Sequence, residues 1–188
     1  GASRLWWHAL MVAAVARSIA EHLDRPGLTP STAYLAGLLH DIGRFIMYAD
    51  DPESLDEAAA DPDAGLIPLV ILERERFGYD HAQLGAEACR QWGFPELLSR
   101  AIRHHHALDL EDRRWDDTPG WLIRIVHVAD RLVTQHLDDP VFPERPQGEQ
   151  RFAVERSMGP ALGNLVAPAV KQLAQIFADV EGLGGSVD

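Results

Sequence analysis

The chain has 188 residues, of which 46% are hydrophobic and 24% charged, so it can bury a core and is unlike disordered or fibrous sequences. Its formal net charge of -12 argues against nucleic-acid polymers as partners, because binding to their phosphates requires many Lys and Arg residues. The single cysteine, Cys89, leaves no disulfide within the chain and favours a reducing, cytoplasmic location.

Helical periodicity dominates the chain, and no segment alternates long enough to predict a strand. The spacing of apolar residues and the capping signals predict helices at residues 5–23, 29–47, 65–77, 81–92, 95–106, 120–137 and about 160–181. Loops are expected at 50–63 and 109–119, and an irregular Pro-rich segment at 141–150. The apolar stretch at 9–20 is too short to span a bilayer, so no membrane partner is expected. We predict one all-α domain over residues 1–188.

The pair His40-Asp41 is the most informative feature of the sequence. Apolar residues precede it and Gly43 follows it, so the pattern places an imidazole and a carboxylate inside a helical core. An uncompensated buried charge is costly there, and a bound cation would compensate it. The two side chains are compatible ligands for Zn, Mn, Fe or Ni.

Four further predicted helices carry polar residues that can join this pair in the middle of a bundle, where facing helices commonly build metal sites. These residues are His8, His81, the run His104-His105-His106 and Asp130. Each also has a simpler interpretation. His8 can be a packed or surface histidine, His81 can be solvated, Asp130 can pair with Arg131 or Arg124, and the run can favour the helix dipole.

Three other histidines carry less weight. His22 and His136 flank helix ends beside acidic residues, and we expect neither of them in a site. His127 lies one turn before Asp130 on roughly the same helix face. It can support the site from outside the ligand set, but a role unconnected with the site is the favoured interpretation.

The order of these residues resembles the HD superfamily of metal-dependent phosphohydrolases and, within it, the HDOD (HD-related output domain) branch. The strings that carry the resemblance are Leu5-Trp6-Trp7-His8, Ala36-Gly37-Leu38-Leu39-His40-Asp41-Ile42-Gly43, Phe77-Gly78-Tyr79-Asp80-His81-Ala82-Gln83-Leu84-Gly85-Ala86, Trp92-Gly93-Phe94-Pro95 followed by Ala101-Ile102-Arg103-His104-His105-His106, and Val128-Ala129-Asp130. A lone His-Asp pair is a weak signal, but five motifs in this order are specific. The resemblance runs from about residue 5 to residue 137 and implies an HD-domain-like bundle of about six to eight helices.

The resemblance also implies a dinuclear metal site. Its ligands fall on His8, His40, Asp41, His81, a histidine pair and Asp130. Measured from Trp92 and Pro95, the pair best matches His105-His106, which leaves His104 in a place often taken by an aromatic residue. In such sites the aspartate of the His-Asp pair, here Asp41, bridges two metals. The implied cofactors are two divalent ions, namely Fe, Mn, Ni or Zn, with Mg also possible.

Three departures from related proteins narrow the function. The HD-GYP branch, which cleaves cyclic di-GMP, follows its histidine pair with Glu and an Asp-Gly-x-Gly-Tyr-Pro string. This chain has Ala107-Leu108-Asp109-Leu110 there, so that substrate is not expected. Arg44 stands where HD-GYP proteins typically carry lysine, and arginine can also clamp a phosphate. The helical N-terminal lobe usual in HDOD proteins is missing, so we expect a fragment or a minimal version.

The expected function is metal-dependent hydrolysis of a small nucleotide-like phosphoester. Two metals sharing Asp41 would activate a water molecule, Asp130 or a histidine of the run would orient it or protonate the leaving group, and Arg44 would hold a phosphate oxygen. The rival is a non-catalytic signalling output module, attached to sensor or regulatory domains, whose metal site is structural or ligand-sensing. A metal-free interaction domain is disfavoured, because buried Asp41 and Asp130 would then need other partners.

Overall fold

The computed structural model describes residues 2–23, 25–53, 69–106 and 117–136. Every regular element in these ranges is an α-helix, which confirms the predicted all-α class. The helices are α1 (Ala2–Glu21), α2 (Pro30–Leu39), α3 (Ile42–Asp50), α4 (Leu69–Phe77), α5 (His81–Gln91), α6 (Glu96–His104) and α7 (Thr118–His136). Among them, none combines the length and the apolar character that crossing a bilayer requires.

Several predictions concern residues that the structure does not describe. The irregular segment at 141–150, the helix at about 160–181 and residues 65–68 of the predicted third helix lie outside the described residues, as do residues 54–63 and 109–116 of the predicted loops. The single domain over residues 1–188 therefore stays a prediction.

Local capping explains where two of the helices begin. The Thr29 hydroxyl accepts a hydrogen bond from the Thr32 amide at 3.1 Å, with Pro30 in the first turn of α2. Asp80 forms a capping box with Gln83 at the start of α5, in which each side chain accepts from the other residue's amide, at 2.7 and 3.3 Å. These two starts are confirmed because the signals act within a few residues.

The predicted second helix is wrong in one respect, since it does not run unbroken to Met47. The structure ends α2 at Leu39 and begins α3 at Ile42, with His40 and Asp41 at the junction. Asp41 occupies the N-cap position of α3, with φ −102° and ψ 16°, but its side chain makes no capping hydrogen bond. Its carboxylate lies instead among buried polar side chains, and contacts distant in sequence override the local helical pattern here.

One apolar core holds the helices that surround this junction. Helices α1, α2, α6 and α7 contribute to it Val12, Ile19, Ala36, Ala101, Leu122 and Val126, all fully buried. A smaller apolar cluster of Ala86, Cys89 and Ile102 joins α5 to α6, and α3 packs against α5. Burying a large aliphatic side chain stabilises by about 1.5–3 kcal/mol, so this packing holds the helices in place around the polar centre.

Candidate metal centre

The structure brings all seven predicted ligand residues together in one cluster. His8 comes from α1, His40-Asp41 from the α2–α3 junction, His81 from the start of α5, His105-His106 from the end of α6, and Asp130 from α7. All of them are buried except His106, which is partly exposed. This placement agrees with the expected grouping, whereas their binding of metal stays a prediction.

Two groups of potential ligand atoms share Asp41. We call His8, His40 and Asp41 the amino-terminal group, and Asp41, His81, His105 and His106 the carboxy-terminal group. Within each group the ligand atoms lie within 4.8 Å of one another. Such spacing suits one cation for each group.

The amino-terminal group also contacts Asp130. His8 Nε2 lies 3.0 Å from Asp130 Oδ1 and 3.3 Å from His40 Nε2, and His40 Nε2 lies 3.8 Å from the same Asp130 oxygen. Thr134 donates a 3.4 Å hydrogen bond to Asp130 Oδ1. The Asp130 carboxylate therefore faces the two histidines, as required of a fourth ligand.

The two oxygens of Asp41 face different groups. Oδ2 lies 3.5 Å from His40 Nε2 and 4.0 Å from His8 Nε2. Oδ1 lies 3.1 Å from His81 Nε2 and 3.8 Å from His105 Nε2. A carboxylate with one oxygen on each side has the arrangement needed to bridge two cations.

Hydrogen bonds on the far side of three rings determine which nitrogen is available for a ligand. His40 Nδ1 donates to the Gly37 carbonyl at 2.7 Å, and His105 Nδ1 donates to the Ile102 carbonyl at 2.7 Å. His81 Nδ1 donates to Glu73 Oε2 at 2.6 Å. Since these partners only accept hydrogen bonds, each Nδ1 carries the proton, and Nε2 directs its lone pair into the cluster when the ring is neutral.

The donor set fits divalent transition metals. His105 Nε2 is buried and makes no hydrogen bond within the described part of the chain, and its neighbour Asp41 Oδ1 lies beyond hydrogen-bonding distance. His81 Nε2 and His106 Nε2 approach to 3.0 Å. Imidazole nitrogens and carboxylate oxygens that converge in this way are satisfied together by Fe, Mn, Ni or Zn. Mg is a poorer match because it prefers an oxygen shell.

The charges around the cluster favour a cation. Burial acts to raise the pKa of Asp41, but Arg44, His40 and His81 hold it well below its usual range. The pKa of Asp130 is likewise held well below its usual range, since the hydrogen bond and charge of His8 outweigh burial. Both carboxylates are therefore ionised at neutral pH.

The pKa values of His40 in the amino-terminal group and His81 in the carboxy-terminal group are shifted in opposite directions. Burial lowers the pKa of His40 to about 4, although Asp41 and Asp130 oppose the shift. For His81, burial and Arg44 act downward, but Glu73 and Asp41 outweigh them and raise the pKa to about 9. The same negative charges that stabilise a proton on His81 also favour a metal cation in its place.

Glycines allow the helices to approach closely enough to build the cluster. A Cβ atom added at Gly43 would overlap the carbonyl oxygen of His81, and one at Gly37 would lie 2.8 Å from the Ala13 Cα. Gly43 therefore lets the start of α5 reach the α2–α3 junction, and Gly37 lets α2 lie directly against α1. Larger residues at these positions would separate the ligands.

Three other predicted site residues lie outside the two ligand groups. Arg44 is buried and donates to Asp41 Oδ2 at 3.1 Å, so it contacts the shared carboxylate. His127 Nδ1 donates to the His105 carbonyl at 2.6 Å, which supports the ligand-bearing end of α6. His104 is partly exposed and belongs to neither group. The described geometry thus favours the His105-His106 register, although the roles of these residues stay predictions.

The two histidines not expected in the site are absent from both ligand groups. His22 Nδ1 donates to the Ser18 carbonyl at 2.8 Å within its own helix. The side chain of His136 lies outside the described residues.

Sequence reasoning missed Glu73, which is fully buried in α4 and contacts His81. Its Oε2 accepts hydrogen bonds from the His81 ring at 2.6 Å and from the His81 amide at 2.9 Å. Its Oε1 lies 3.6 Å from Arg44 Nε. The available signal was a single acidic residue directly after the apolar run 69–72, which is weak because such residues usually face solvent.

More than half of the chain matches the sequence model of a known family. The sequence model of the HDOD domain matches residues 1–108, which hold every predicted ligand except Asp130. A protein of Treponema pallidum (strain Nichols), described as uncharacterized, is 29% identical over 105 residues. That stretch is 56% of this chain and 20% of the Treponema protein, so the match spans a fifth of the relative's length.

Several solved structures are similar to this one. An HDOD domain protein of unknown function from Geobacter sulfurreducens is 24% identical with a TM-score of 0.67, covering 94% of this chain and 61% of its own. The MmoQ response regulator of Methylococcus capsulatus str. Bath is 26% identical with a TM-score of 0.62, covering 87% of this chain and 61% of its own. The first likeness, under 25% identity, shows the fold alone. The chain spans less than two thirds of either protein.

Proposed function

The chain belongs to the HDOD domain family, and on that premise we propose that its buried cluster holds two divalent transition metals and hydrolyses a small nucleotide-like phosphoester. The observation that carries the proposal is the sharing of Asp41 between two ligand groups. When bound, a pair of divalent ions lowers the pKa of water and stabilises negative charge on phosphate oxygens.

Each half of the cluster supplies one set of ligands. The amino-terminal set is His8, His40, Asp41 and Asp130, and the carboxy-terminal set is Asp41, His81, His105 and His106. His106 is the partly exposed member, so a substrate phosphate would approach from its side of the cluster. The acidic interior would repel a phosphate unless the cations were in place.

The charge states refine the roles expected from the sequence. Because Asp130 is ionised at neutral pH, it can accept a hydrogen bond from water and so orient it, but it has no proton to donate to a leaving group. Arg44 is buried against Asp41 and Glu73, so we assign it to holding the shared carboxylate rather than to clamping a phosphate. On these assignments, Asp130 does not protonate the leaving group and Arg44 does not bind the substrate phosphate.

A non-catalytic signalling module is the second candidate, and one comparison favours it. A protein similar in sequence and fold bears the name response regulator. Under this alternative the cluster would hold metal for structure or for sensing a small ligand, and sensor or regulatory domains would be the partners. A cytoplasmic location is part of both proposals.

Elemental analysis tests the metal site, which both candidates include. Full-length protein purified without chelators, and then loaded with Fe, Mn, Ni or Zn, should contain close to two metal ions per chain. Protein that binds none of these metals would contradict both candidates.

A panel of nucleotides, cyclic nucleotides and other small phosphoesters then tests catalysis. Wild-type protein should release phosphate or open a phosphodiester, and His40→Ala and Asp41→Ala should reduce turnover to background. Asp80→Asn is the matched control, because Asp80 is a buried carboxylate outside both ligand groups. Metal binding without turnover on any member of the panel would favour the signalling module.

A further inference from the structure

Four buried side chains form a closed circuit that connects α4 to the metal centre. Arg44 Nη1 donates to Asp41 Oδ2 at 3.1 Å, and Asp41 Oδ1 lies 3.1 Å from His81 Nε2. His81 Nδ1 donates to Glu73 Oε2 at 2.6 Å, and Glu73 Oε1 lies 3.6 Å from Arg44 Nε. Each side chain in this circuit contacts two of the others, so its position is restrained from both sides.

From this circuit we infer that Glu73 is a positioning residue, which holds the His81 ring so that Nε2 is presented to a metal ion. The inference rests on the proposed metal centre and extends it to a helix that contributes no ligand. A carboxylate behind a metal-binding histidine fixes the tautomer and makes the ligand nitrogen more basic.

Two contacts to one oxygen make Glu73 suited to this task. Glu73 Oε2 accepts from both the ring Nδ1 and the backbone amide of His81, at 2.6 and 2.9 Å. An ionised carboxylate has no proton to donate, so the Nδ1 must carry the hydrogen. The pair of bonds restrains ring rotation as well as the tautomer, because the amide and the ring are held to the same atom.

The hydrogen-bond acceptor behind the His81 ring differs from those behind two other candidate ligands. His40 and His105 donate their Nδ1 hydrogens to backbone carbonyls of their own helical turns, Gly37 and Ile102. Those acceptors arise from the helix itself and are neutral. His81 lies in the first turn of α5, where no preceding turn supplies a carbonyl. Glu73 supplies the acceptor from another helix and adds a negative charge.

Substitutions at Glu73 separate hydrogen bonding from charge. Glu73→Gln keeps a carbonyl oxygen for the His81 ring but removes the charge that faces Arg44. Glu73→Met keeps similar volume and removes the acceptor altogether. Asp80→Asn is the control, because it makes the same carboxylate-to-amide change one residue before His81, and asparagine is also a good N-cap.

Metal affinity, measured by competition with a chromogenic chelator, should rank these variants. Glu73→Met should bind the metal ion of the carboxy-terminal group about 10–100-fold less tightly than wild type does. Losses of this size are typical when a residue that supports a metal ligand from behind is replaced. The metal affinity of Glu73→Gln should lie between those of wild type and Glu73→Met, and the affinity of Asp80→Asn should match that of wild type. A Glu73→Met protein that binds as tightly as wild type would overturn the inference.

Imidazole NMR on metal-free, 15N-histidine-labelled protein gives a readout that needs no metal. Wild type and Glu73→Gln should show a strongly hydrogen-bonded Nδ1 proton on His81, and Glu73→Met should lose it. Circular dichroism shows whether each variant is folded. If Glu73→Met is unfolded, the metal affinity of Glu73→Gln alone tests the inference.

The outcomes for the inference and for the proposed function are distinguishable. If wild type binds metal but lacks the His81 Nδ1 proton signal, or if that signal survives in Glu73→Met, the inference alone is wrong. If wild type binds no metal under any loading condition, the proposed function is wrong and the inference falls with it.

Discussion

The two ligand groups are supported in different ways, although they share Asp41. The amino-terminal group stands on α1 and the end of α2 and contacts Asp130 of α7; these three helices meet in the main apolar core, and the group's histidines are fully buried. The carboxy-terminal group stands on α5 and α6, takes a buried carboxylate from α4, and includes the partly exposed His106. Apolar packing holds the helices of both groups, but the second group depends in addition on the buried polar contact between Glu73 and His81.

Removal of the shared carboxylate should have the largest effect, because it affects both groups at once. Asp41→Asn keeps the shape of the side chain but removes the charge that balances two cations, so metal content should fall from about two ions toward none. His8→Ala and His106→Ala should each lose about one ion. Elemental analysis after dialysis measures all three, and two ions retained by Asp41→Asn would contradict a bridging role.

The glycine contacts allow each group to be disturbed separately. Gly43→Ala should push α5 away from the junction and weaken the carboxy-terminal group, while Gly37→Ala should push α2 from α1 and weaken the amino-terminal group. Overpacking of this kind costs about 1–3 kcal/mol of stability. Thermal unfolding measures that cost in metal-free protein.

Proteins that retain only one of the two ligand groups show which group each glycine variant disturbs. Metal affinity of Gly43→Ala should fall more in a His8→Ala background, where the carboxy-terminal group remains. Metal affinity of Gly37→Ala should fall more in a His106→Ala background, where the amino-terminal group remains. Equal losses in both backgrounds would mean that the two groups are not independently supported.

The metal-free protein should lose stability on both sides of pH 6.5, with His40 contributing on the acidic side and His81 on the alkaline side. The folded-state pKa of His40 is lowered to about 4 by burial, so its contribution is present above pH 6.5 and is lost as the pH falls toward 4. The folded-state pKa of His81 is raised to about 9 by neighbouring carboxylates that outweigh burial, so its contribution is present below pH 6.5 and is lost as the pH rises through 9. Each contribution is about 3 kcal/mol, at about 1.4 kcal/mol per pKa unit.

Urea unfolding in the presence of a chelator, from pH 4 to pH 9, measures this profile. His40→Gln should reduce the loss on the acidic side, where burial also lowers the pKa of His106, and should leave the alkaline side unchanged. His81→Gln should reduce the loss on the alkaline side and leave the acidic side unchanged. A profile that neither substitution changes would show that other groups control the pH dependence.

The smallest effects are expected from residues that support the ligands from behind. Thr134→Val removes the 3.4 Å hydrogen bond to Asp130, and His127→Ala removes the 2.6 Å hydrogen bond to the His105 carbonyl. Each should cost about 0.5–1.5 kcal/mol in chemical denaturation, with metal content unchanged. We expect the larger loss from His127→Ala, because its hydrogen bond is shorter. Loss of a metal ion in either variant would assign that residue a greater role.

Much of the fold was predictable, because its signals are local. Apolar spacing predicts α1 and α7, and the caps at Thr29 and Asp80 predict where α2 and α5 begin. The ligand residues were predictable as a set, because five motifs follow one another in a recognisable order. The break at His40-Asp41 was not, since the residues on both sides have a continuous helical pattern.

By itself, therefore, the sequence determined an all-α chain with a histidine–aspartate set distributed over several helices. Only the tertiary structure decided that each Asp41 oxygen faces a different ligand group and that Glu73 lies behind His81. Helix periodicity and capping act over a few residues, whereas these contacts join helices whose approach depends on glycines and on the packing of the whole core. Contacts between helices leave no local pattern, so Glu73 could be found only once α4 and α5 were placed together.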